Sequence, residues 1–208
     1  MLRLVSLCFL VAIISLLLIR GEILRTGLIA FAGILFLFVL YFFRDPLRDS
    51  PSGENLVLSP ADGKVILLKN VRDVEYLRSE AIQISIFLSP LDVHVNRIPI
   101  TGKVRYFNYV KGDYLVAFHD KASEKNERAV IGIENGKFKI LMRQIAGFIA
   151  RRIVCNLKLE DAVNAGDRFG MIKFGSRVDI LVPVQSEVKV RLSDRVVGGE
   201  TILAVVHT

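Results

Sequence analysis

A serine stands directly after a glycine inside a segment that otherwise reads as a β-strand. The two residues, Gly175 and Ser176, lie in RFGMIKFGSRVDILVP. Glycine weakens a strand interior and usually marks a bulge, a bend or a close approach by another group. Because Gly175 has no side chain, the backbone can bend there and the Ser176 hydroxyl can turn on the preceding carbonyl. With a base and oxyanion donors, this pair could undergo an N→O acyl shift. Without them it is a turn.

The histidines are the first candidates for that base, and the chain has three. His94 lies in SPLDVHVNRIPI beside Asp92 and Arg97, and such clusters of ionisable groups at strand ends are where sites tend to form. His119 lies in a polar segment, VAFHDKASEKNER, and fits a surface role as well as a catalytic one. His207 lies next to the C-terminus. The pattern alone supports a structural role for His94 as well as a catalytic one.

Asp62 is the candidate acid, in LSPADGKV. Asp-Gly is a favoured turn pair, which is the ordinary explanation. A catalytic aspartate would instead orient a histidine that takes a proton from a serine. The chain holds the three types in the order Asp62, His94, Ser176, and spacing does not show whether they meet. The sequence has no metal-ligand cluster and no glycine-rich phosphate loop.

Two apolar runs at the N-terminus, Leu2–Ile19 and Thr26–Phe43, are each about the length that crosses a bilayer. A short RGEILR segment separates them, so we predict a helical hairpin over residues 1–43 that leaves both chain ends on one side of a membrane. A cleaved signal peptide is the alternative, but no small-residue cleavage site follows the first run. The arginines flanking the runs favour a cytoplasmic body only slightly.

The remainder of the chain has the composition of a soluble domain. Residues 44–208 carry 25 lysines and arginines against 20 acidic residues, a net charge of +5. This positive charge would favour binding to an anionic lipid surface or to nucleic acid, or it indicates only a well-solvated surface. A membrane tether makes lipid the favoured partner of the two. Cys8 and Cys155 do not form a disulfide framework, which suits a reducing compartment.

Past a linker over residues 44–55, rich in Pro, Ser, Gly and charge, residues 56–208 read as mainly β. Apolar residues alternate in AIQISIFL and again from Val178 to Val184. Asn135-Gly136 between two apolar runs predicts a β-hairpin. Short strands at this spacing indicate a compact β-sandwich or barrel-like body, with a possible short helix over Asp73–Ser79.

Six motifs together resemble one family: LSPADGKV, FLSPLDVHVNRIP, KNERAVIGIE, QIAGFIARRIV, GDRFGMIKFGSRVDI and GETILA. Their identity and order resemble the short form of the pyruvoyl-dependent phosphatidylserine decarboxylase proenzymes. The resemblance implies a compact β-rich fold and self-cleavage between Gly175 and Ser176. A large β chain, residues 1–175, and a small α chain, residues 176–208, would result, and Ser176 would become a covalent pyruvoyl cofactor.

The same resemblance implies the reaction and the partners. The pyruvoyl ketone would form a Schiff base with phosphatidylserine in the bilayer, and phosphatidylethanolamine would be released after loss of carbon dioxide. The α and β chains would stay together as a heterodimer, or within a higher oligomer, with no nucleic acid partner. The expected place is the cell membrane, with the catalytic body on the cytoplasmic face.

The resemblance also implies roles for individual residues that match the family's motifs. Ser176 matches the cleavage serine, and Asp62 matches the acid of the processing triad. Longer family members carry two histidines three residues apart where this chain has His94 and Arg97, so one role lacks its residue. We expect His94 to be both the base for self-cleavage and the proton donor in turnover, with His119 in reserve. The rival hypotheses are a membrane-tethered serine hydrolase using Ser176, His94 and Asp62, and a non-enzymatic lipid-binding β module.

Overall fold

The computed structural model describes residues 2–18, 20–112, 126–147, 153–172 and 176–207. The chain divides into two compact units, Met1–Asp45 and Pro46–Thr208. The division falls within the segment predicted as a linker.

The N-terminal unit consists of two helices, α1 over Leu2–Leu18 and α2 over Glu22–Phe42, which pack against each other. The rings of Phe9 and Phe36 meet edge to face with centroids 5.7 Å apart. Most large apolar side chains of both helices nevertheless face outward. Of the described helices, α2 alone has the length and hydropathy to cross a membrane, and α1 is a shorter apolar helix. An apolar N-terminal helix of this kind is consistent with membrane association.

The second unit is mainly β, as predicted, and its described residues form fourteen strands. They are β1 Leu56–Leu58, β2 Gly63–Arg72, β3 Glu80–Leu88, β4 Val95–Arg97, β5 Gly102–Val110, β6 Arg128–Glu134, β7 Lys139–Ala146, β8 Ile153–Cys155, β9 Ala162–Val163, β10 Arg168–Ile172, β11 Ser176–Pro183, β12 Ser186–Val188, β13 Arg195–Val196 and β14 Ile202–Val206. Eight strands form one sheet in the order β13-β2-β3-β11-β7-β6-β5-β9, and two three-stranded sheets have the orders β1-β14-β12 and β4-β10-β8.

Strand β11 lies inside the large sheet, paired antiparallel with β3 on one side and β7 on the other. Val178, Ile180 and Val182 share one face of β11 and are fully buried in the main core. Strand side chains alternate between faces, so this period-two pattern aims an unbroken apolar row at the core. The alternation predicted from the sequence is therefore confirmed for these three residues, whereas Val184, the last member of the predicted row, lies beyond β11 and is 51% exposed.

One turn prediction and one helix prediction have different outcomes. Asn135-Gly136 does join a hairpin, β6 to β7, but through the four residues Asn135–Phe138, and the Asn135 side chain accepts hydrogen bonds from the Lys137 and Phe138 amides. The helix predicted over Asp73–Ser79 is wrong. The Asp73 carboxylate there accepts hydrogen bonds from the amides of Tyr76 and Leu77, which satisfies those amides in a loop instead.

The other face of β11 carries a buried charge network. The Arg177 guanidinium donates to the Asp179 carboxylate at 2.6 Å and to Ser85 Oγ at 2.8 Å. Gln83 on β3 donates to the same serine and to Asp179 Oδ2, both at 3.0 Å. Arg177 and Asp179 are almost completely buried. Such a pair is retained only when its hydrogen bonds are met, so the network fixes β11 against β3 one residue beyond Ser176.

We predict that Arg177→Met lowers the melting temperature of the detergent-solubilised full chain by about 10 °C. Removing one partner of a buried ion pair costs about 3–5 kcal/mol, and 1 kcal/mol shifts Tm by about 2–4 °C at this size. Both proteins would carry Ser176→Ala, so that predicted self-cleavage cannot differ between them. Adding Asp179→Leu should recover most of the loss, because no lone charge then remains buried. An unchanged Tm in Arg177→Met would contradict this role.

Candidate active site

Ser176 is the first residue of β11 and has no exposed surface. It lies opposite Leu88 of β3 and Ala146 of β7, so its backbone is held between two strands. Its hydroxyl has no hydrogen-bond partner among the described residues. A buried hydroxyl without a partner costs about 1–3 kcal/mol, so its retention calls for an explanation such as a catalytic role.

His94 is also fully buried. Its Nδ1 lies 2.9 Å from the carbonyl oxygen of Asp92. Because a carbonyl only accepts hydrogen bonds, Nδ1 must carry the proton in this contact, and Nε2 is the nitrogen with the lone pair in the neutral ring. The backbone thus fixes the tautomer, and Nε2 is the atom that can accept a proton. The Asp92 carbonyl, and not the Asp62 carboxylate, is the partner that holds Nδ1.

Asp62 lies just before β2, and both of its carboxylate oxygens are bound. Oδ2 accepts from the Arg48 guanidinium at 2.8 Å, and Oδ1 accepts from the Gly198 amide at 2.8 Å. Burial raises the pKa of Asp62 above its usual value, and the negative charge of Asp92 adds to that effect. The Gly198 amide and Arg48 act in the opposite direction. The carboxylate is therefore held in place at some cost in desolvation.

Strand register brings these segments to one end of the large sheet. Lys64, two residues after Asp62, pairs with Phe87, and the next residue of β3, Leu88, pairs with Ser176. His94 follows Leu88 by six residues, at the end of the loop that leaves β3. The strand pairing therefore places the segments of Asp62 and Ser176 at one end of the large sheet, and His94 follows β3, the strand that lies between β2 and β11.

The remaining predicted residues divide into two groups. Gly175 and His119 lie outside the described residues. Arg97 is nearly buried on β4, and its guanidinium donates to the carbonyl oxygens of Gly166 and Pro46, both at 2.9 Å. In these contacts Arg97 joins separate stretches of backbone.

Gln144 is a buried polar residue that sequence reasoning missed, and it contacts Asn96, a buried member of the polar cluster around His94. Gln144 lies two residues before Ala146 on β7, so it shares the face of Ser176. Its Nε2 donates to Asn96 Oδ1 at 2.8 Å, while its Oε1 has no partner within the described parts of the chain. The sequence signal for Gln144 was its polar side chain at the start of the strand-like QIAGF segment. The contact connects β7 to the strand that follows His94.

Comparison with known proteins identifies the family. The sequence profile described as phosphatidylserine decarboxylase matches residues 35–204. The chain belongs to that family. A phosphatidylserine decarboxylase proenzyme from Amoebophilus asiaticus is 53% identical over 170 residues, 81% of this chain and 75% of that protein. Those from Chlorobium luteolum and Chlorobium chlorochromatii are 49% and 46% identical, over 86% and 95% of this chain and 84% and 92% of their own lengths.

Membership in the decarboxylase family confirms the resemblance found in the six motifs, and the chain is an enzyme of that family. The profile match extends from within α2 to within β14, so it includes Asp62, His94 and Ser176. The printed names of the relatives describe proenzymes, that is, precursor chains.

We predict that Asp62→Asn gains thermal stability relative to its parent as pH rises above about 4, the ordinary pKa of an aspartate. The folded-state pKa of Asp62 is raised, so its favourable contribution is present below the unfolded pKa and is lost as pH rises through the folded pKa. Asparagine does not ionise and has no such loss. Both proteins would carry Ser176→Ala, and Tm would be measured across the pH range. A Tm difference that does not change with pH, or changes in favour of aspartate, would contradict the raised pKa.

Proposed function

We propose that this enzyme decarboxylates phosphatidylserine to phosphatidylethanolamine with a pyruvoyl group that it makes from Ser176 by cleaving its own chain after Gly175. Family membership supports the reaction. The observation that carries the self-cleavage is the buried Ser176 hydroxyl at the head of β11, which has no partner among the described residues. A hydroxyl kept free of hydrogen bonds inside the protein is available as a nucleophile.

The proposed self-cleavage balances with one water consumed and one ammonia released. Ser176 Oγ attacks the Gly175 carbonyl carbon, the C–N bond breaks, and an ester joins the two halves. Removal of the Ser176 α-proton then expels the Gly175 carboxylate and leaves a dehydroalanine. Water replaces its nitrogen, and the new chain starts with a pyruvoyl group. The hydroxyl oxygen of Ser176 leaves with the large chain.

His94 is the group that we assign to the proton transfers. Its Nδ1 proton is fixed by the Asp92 carbonyl at 2.9 Å, so Nε2 carries the lone pair that takes the Ser176 hydroxyl proton, and it returns a proton during turnover. Asp62 supplies negative charge at the same strand ends, where it would stabilise the imidazolium that forms. Its bonds to Arg48 and Gly198 keep that charge in a fixed position.

The residues beside Ser176 fit a pyruvoyl group. Its cross-strand neighbours are Leu88 and Ala146, both fully buried and apolar. The group would supply a ketone for the substrate amine and an electron sink for the bond that loses carbon dioxide. Apolar neighbours exclude water from that position and strengthen electrostatic effects near it.

The two product chains should remain together as a heterodimer. Strand β11 begins at Ser176 and hydrogen-bonds to β3 and β7, which both belong to the large chain. Its apolar face is buried in the main core. Loss of one peptide bond leaves those hydrogen bonds and that burial in place.

The proposed substrate explains why the chain has an apolar N-terminal unit. Phosphatidylserine stays in a bilayer, and α2 has the length and hydropathy of a membrane-crossing helix. We therefore place the enzyme at the cell membrane, with the body on the cytoplasmic face. The net positive charge of residues 44–208 suits an anionic lipid surface.

We predict that purified wild-type protein consists of two chains, and that the smaller spans residues 176–208 and is lighter than its encoded mass by one ammonia. Ser176→Ala should remain a single inactive chain, because alanine has no nucleophile. Intact-mass spectrometry decides both. Ser186→Ala is the matched control, since Ser186 also has a buried hydroxyl without a partner in the described chain but follows Gln185; it should cleave. A small chain with a free serine amine would instead indicate a serine hydrolase.

We predict that His94→Gln slows self-cleavage by at least about a hundredfold, because general acid–base catalysis contributes about 10²–10⁴-fold. The measurement is a gel time course of newly made full-length chain in lipid nanodiscs. His207→Gln is the control: His207 is exposed and lies 3.5 Å from Glu187, so its loss should leave the rate unchanged. Cleavage of His94→Gln at the wild-type rate would remove His94 from the processing step.

A further inference from the structure

The segment Pro46–Ser50, which we call the arm, is attached to the body at two points. The Arg97 guanidinium donates to the Pro46 carbonyl oxygen at 2.9 Å. Two residues later, Arg48 Nη2 forms an ion pair with Asp62 Oδ2 at 2.8 Å. Between these points Leu47 is 90% exposed, so the arm is held by polar contacts and not by apolar burial. Its position depends on Arg97 and Arg48.

Two glycines make room for these contacts. A Cβ at Gly166 would lie 2.0 Å from Ser50 Oγ, and a Cβ at Gly199 would lie 2.7 Å from Arg97 Cδ. Both glycines have a positive φ, +86° and +79°, which disfavours other residues independently of space. The two glycines therefore leave room for Ser50 of the arm and for the Arg97 side chain that binds the arm.

Arg48 is the cation within ion-pair distance of Asp62 among the described residues. Its side chain is only 13% exposed and that of Asp62 is 16% exposed, so water screens the pair poorly. Its Nη1 also lies 3.6 Å from Glu200. The other charges that face this group are Asp92, which acts against ionisation of Asp62, and Arg195, which binds Asp92 at 2.9 Å and is 72% exposed. Arg48 is thus the main charge that favours the carboxylate.

We propose that Arg48 is a positioning residue of the active site, which keeps Asp62 charged, so that the self-cleaving site is complete only when the arm is bound to the body. The inference rests on the proposed function, which gives Asp62 a role in processing. It assigns Arg97 a role as well: in place of a second histidine, it anchors the arm that carries Arg48. Because three residues separate the end of α2 from the arm in the sequence, maturation depends on the segment that joins the apolar helices to the body.

The test is the pH dependence of self-cleavage in Arg48→Gln. Full-length chain would be made by cell-free translation in nanodiscs, moved to buffers between about pH 5 and 9, and followed on gels. Without the guanidinium the pKa of Asp62 rises further, so the acid limb of the rate profile should move up by about one pH unit. The rate at the alkaline plateau should stay within about twofold. Arg48→Lys keeps a positive charge and should restore most of the shift.

Arg105→Gln is the matched control, since Arg105 pairs with exposed Glu160 at 2.9 Å away from the site. Its profile should not move. Arg97→Gln provides a second variant that keeps Arg48: it removes the hydrogen bond to the Pro46 carbonyl, and the limb should shift in the same direction. A rate that falls equally at every pH in Arg48→Gln, or an unchanged profile, overturns the positioning role. Wild-type chain that cleaves at no pH overturns the proposed function itself, and the inference with it.

Discussion

The site depends on one constraint, the burial of Ser176 at the first position of a strand that is hydrogen-bonded on both sides. Strand β11 cannot move without breaking its pairing to β3 and β7. Its apolar face is fixed in the core, and its opposite face is fixed by the Arg177–Asp179 pair. The fold therefore provides a fixed position for one hydroxyl, at the same end of the sheet where β2 begins and β3 ends. A reaction that begins with an attack on the adjacent peptide bond needs such fixed geometry.

The negative charge of Asp62 lowers the stability of the folded protein. Asp62 is partly buried, and burial is the largest influence on its pKa. Arg48 and the Gly198 amide offset that cost only in part. By contrast, the Asp179 carboxylate is surrounded by Arg177 and Gln83. Asp62 thus keeps a charge that burial disfavours, which agrees with the role proposed for it in self-cleavage.

The sequence was informative where the signal is local. The period-two apolar pattern predicted the buried face of β11, and the Asn135-Gly136 pair predicted the β6–β7 hairpin, because neighbouring residues determine both. Motifs singled out Ser176, Asp62 and His94 through family resemblance. Their catalytic roles remain proposals.

Contacts between distant residues were beyond prediction. Gln83 and Asp179 are 96 positions apart, and Arg97 and Gly166 are 69 apart, so no spacing rule connects them. The contact of Arg48 with Asp62 depends on an arm that composition describes only as a linker. The helix predicted over Asp73–Ser79 was wrong because the Asp73 side chain competes for the backbone amides of Tyr76 and Leu77.

The central claim is that the chain end derived from Ser176 performs the decarboxylation, and reductive trapping tests it most directly. The purified enzyme would be incubated with phosphatidylserine in nanodiscs and cyanoborohydride, using lipid labelled either at the serine carboxyl or at the serine β-carbon. The account predicts that the lipid amine becomes fixed to the fragment spanning residues 176–208, with the β-carbon label retained and the carboxyl label lost. Phosphatidylethanolamine formed while that fragment stays unmodified, or lipid fixed to another part of the chain, would contradict it.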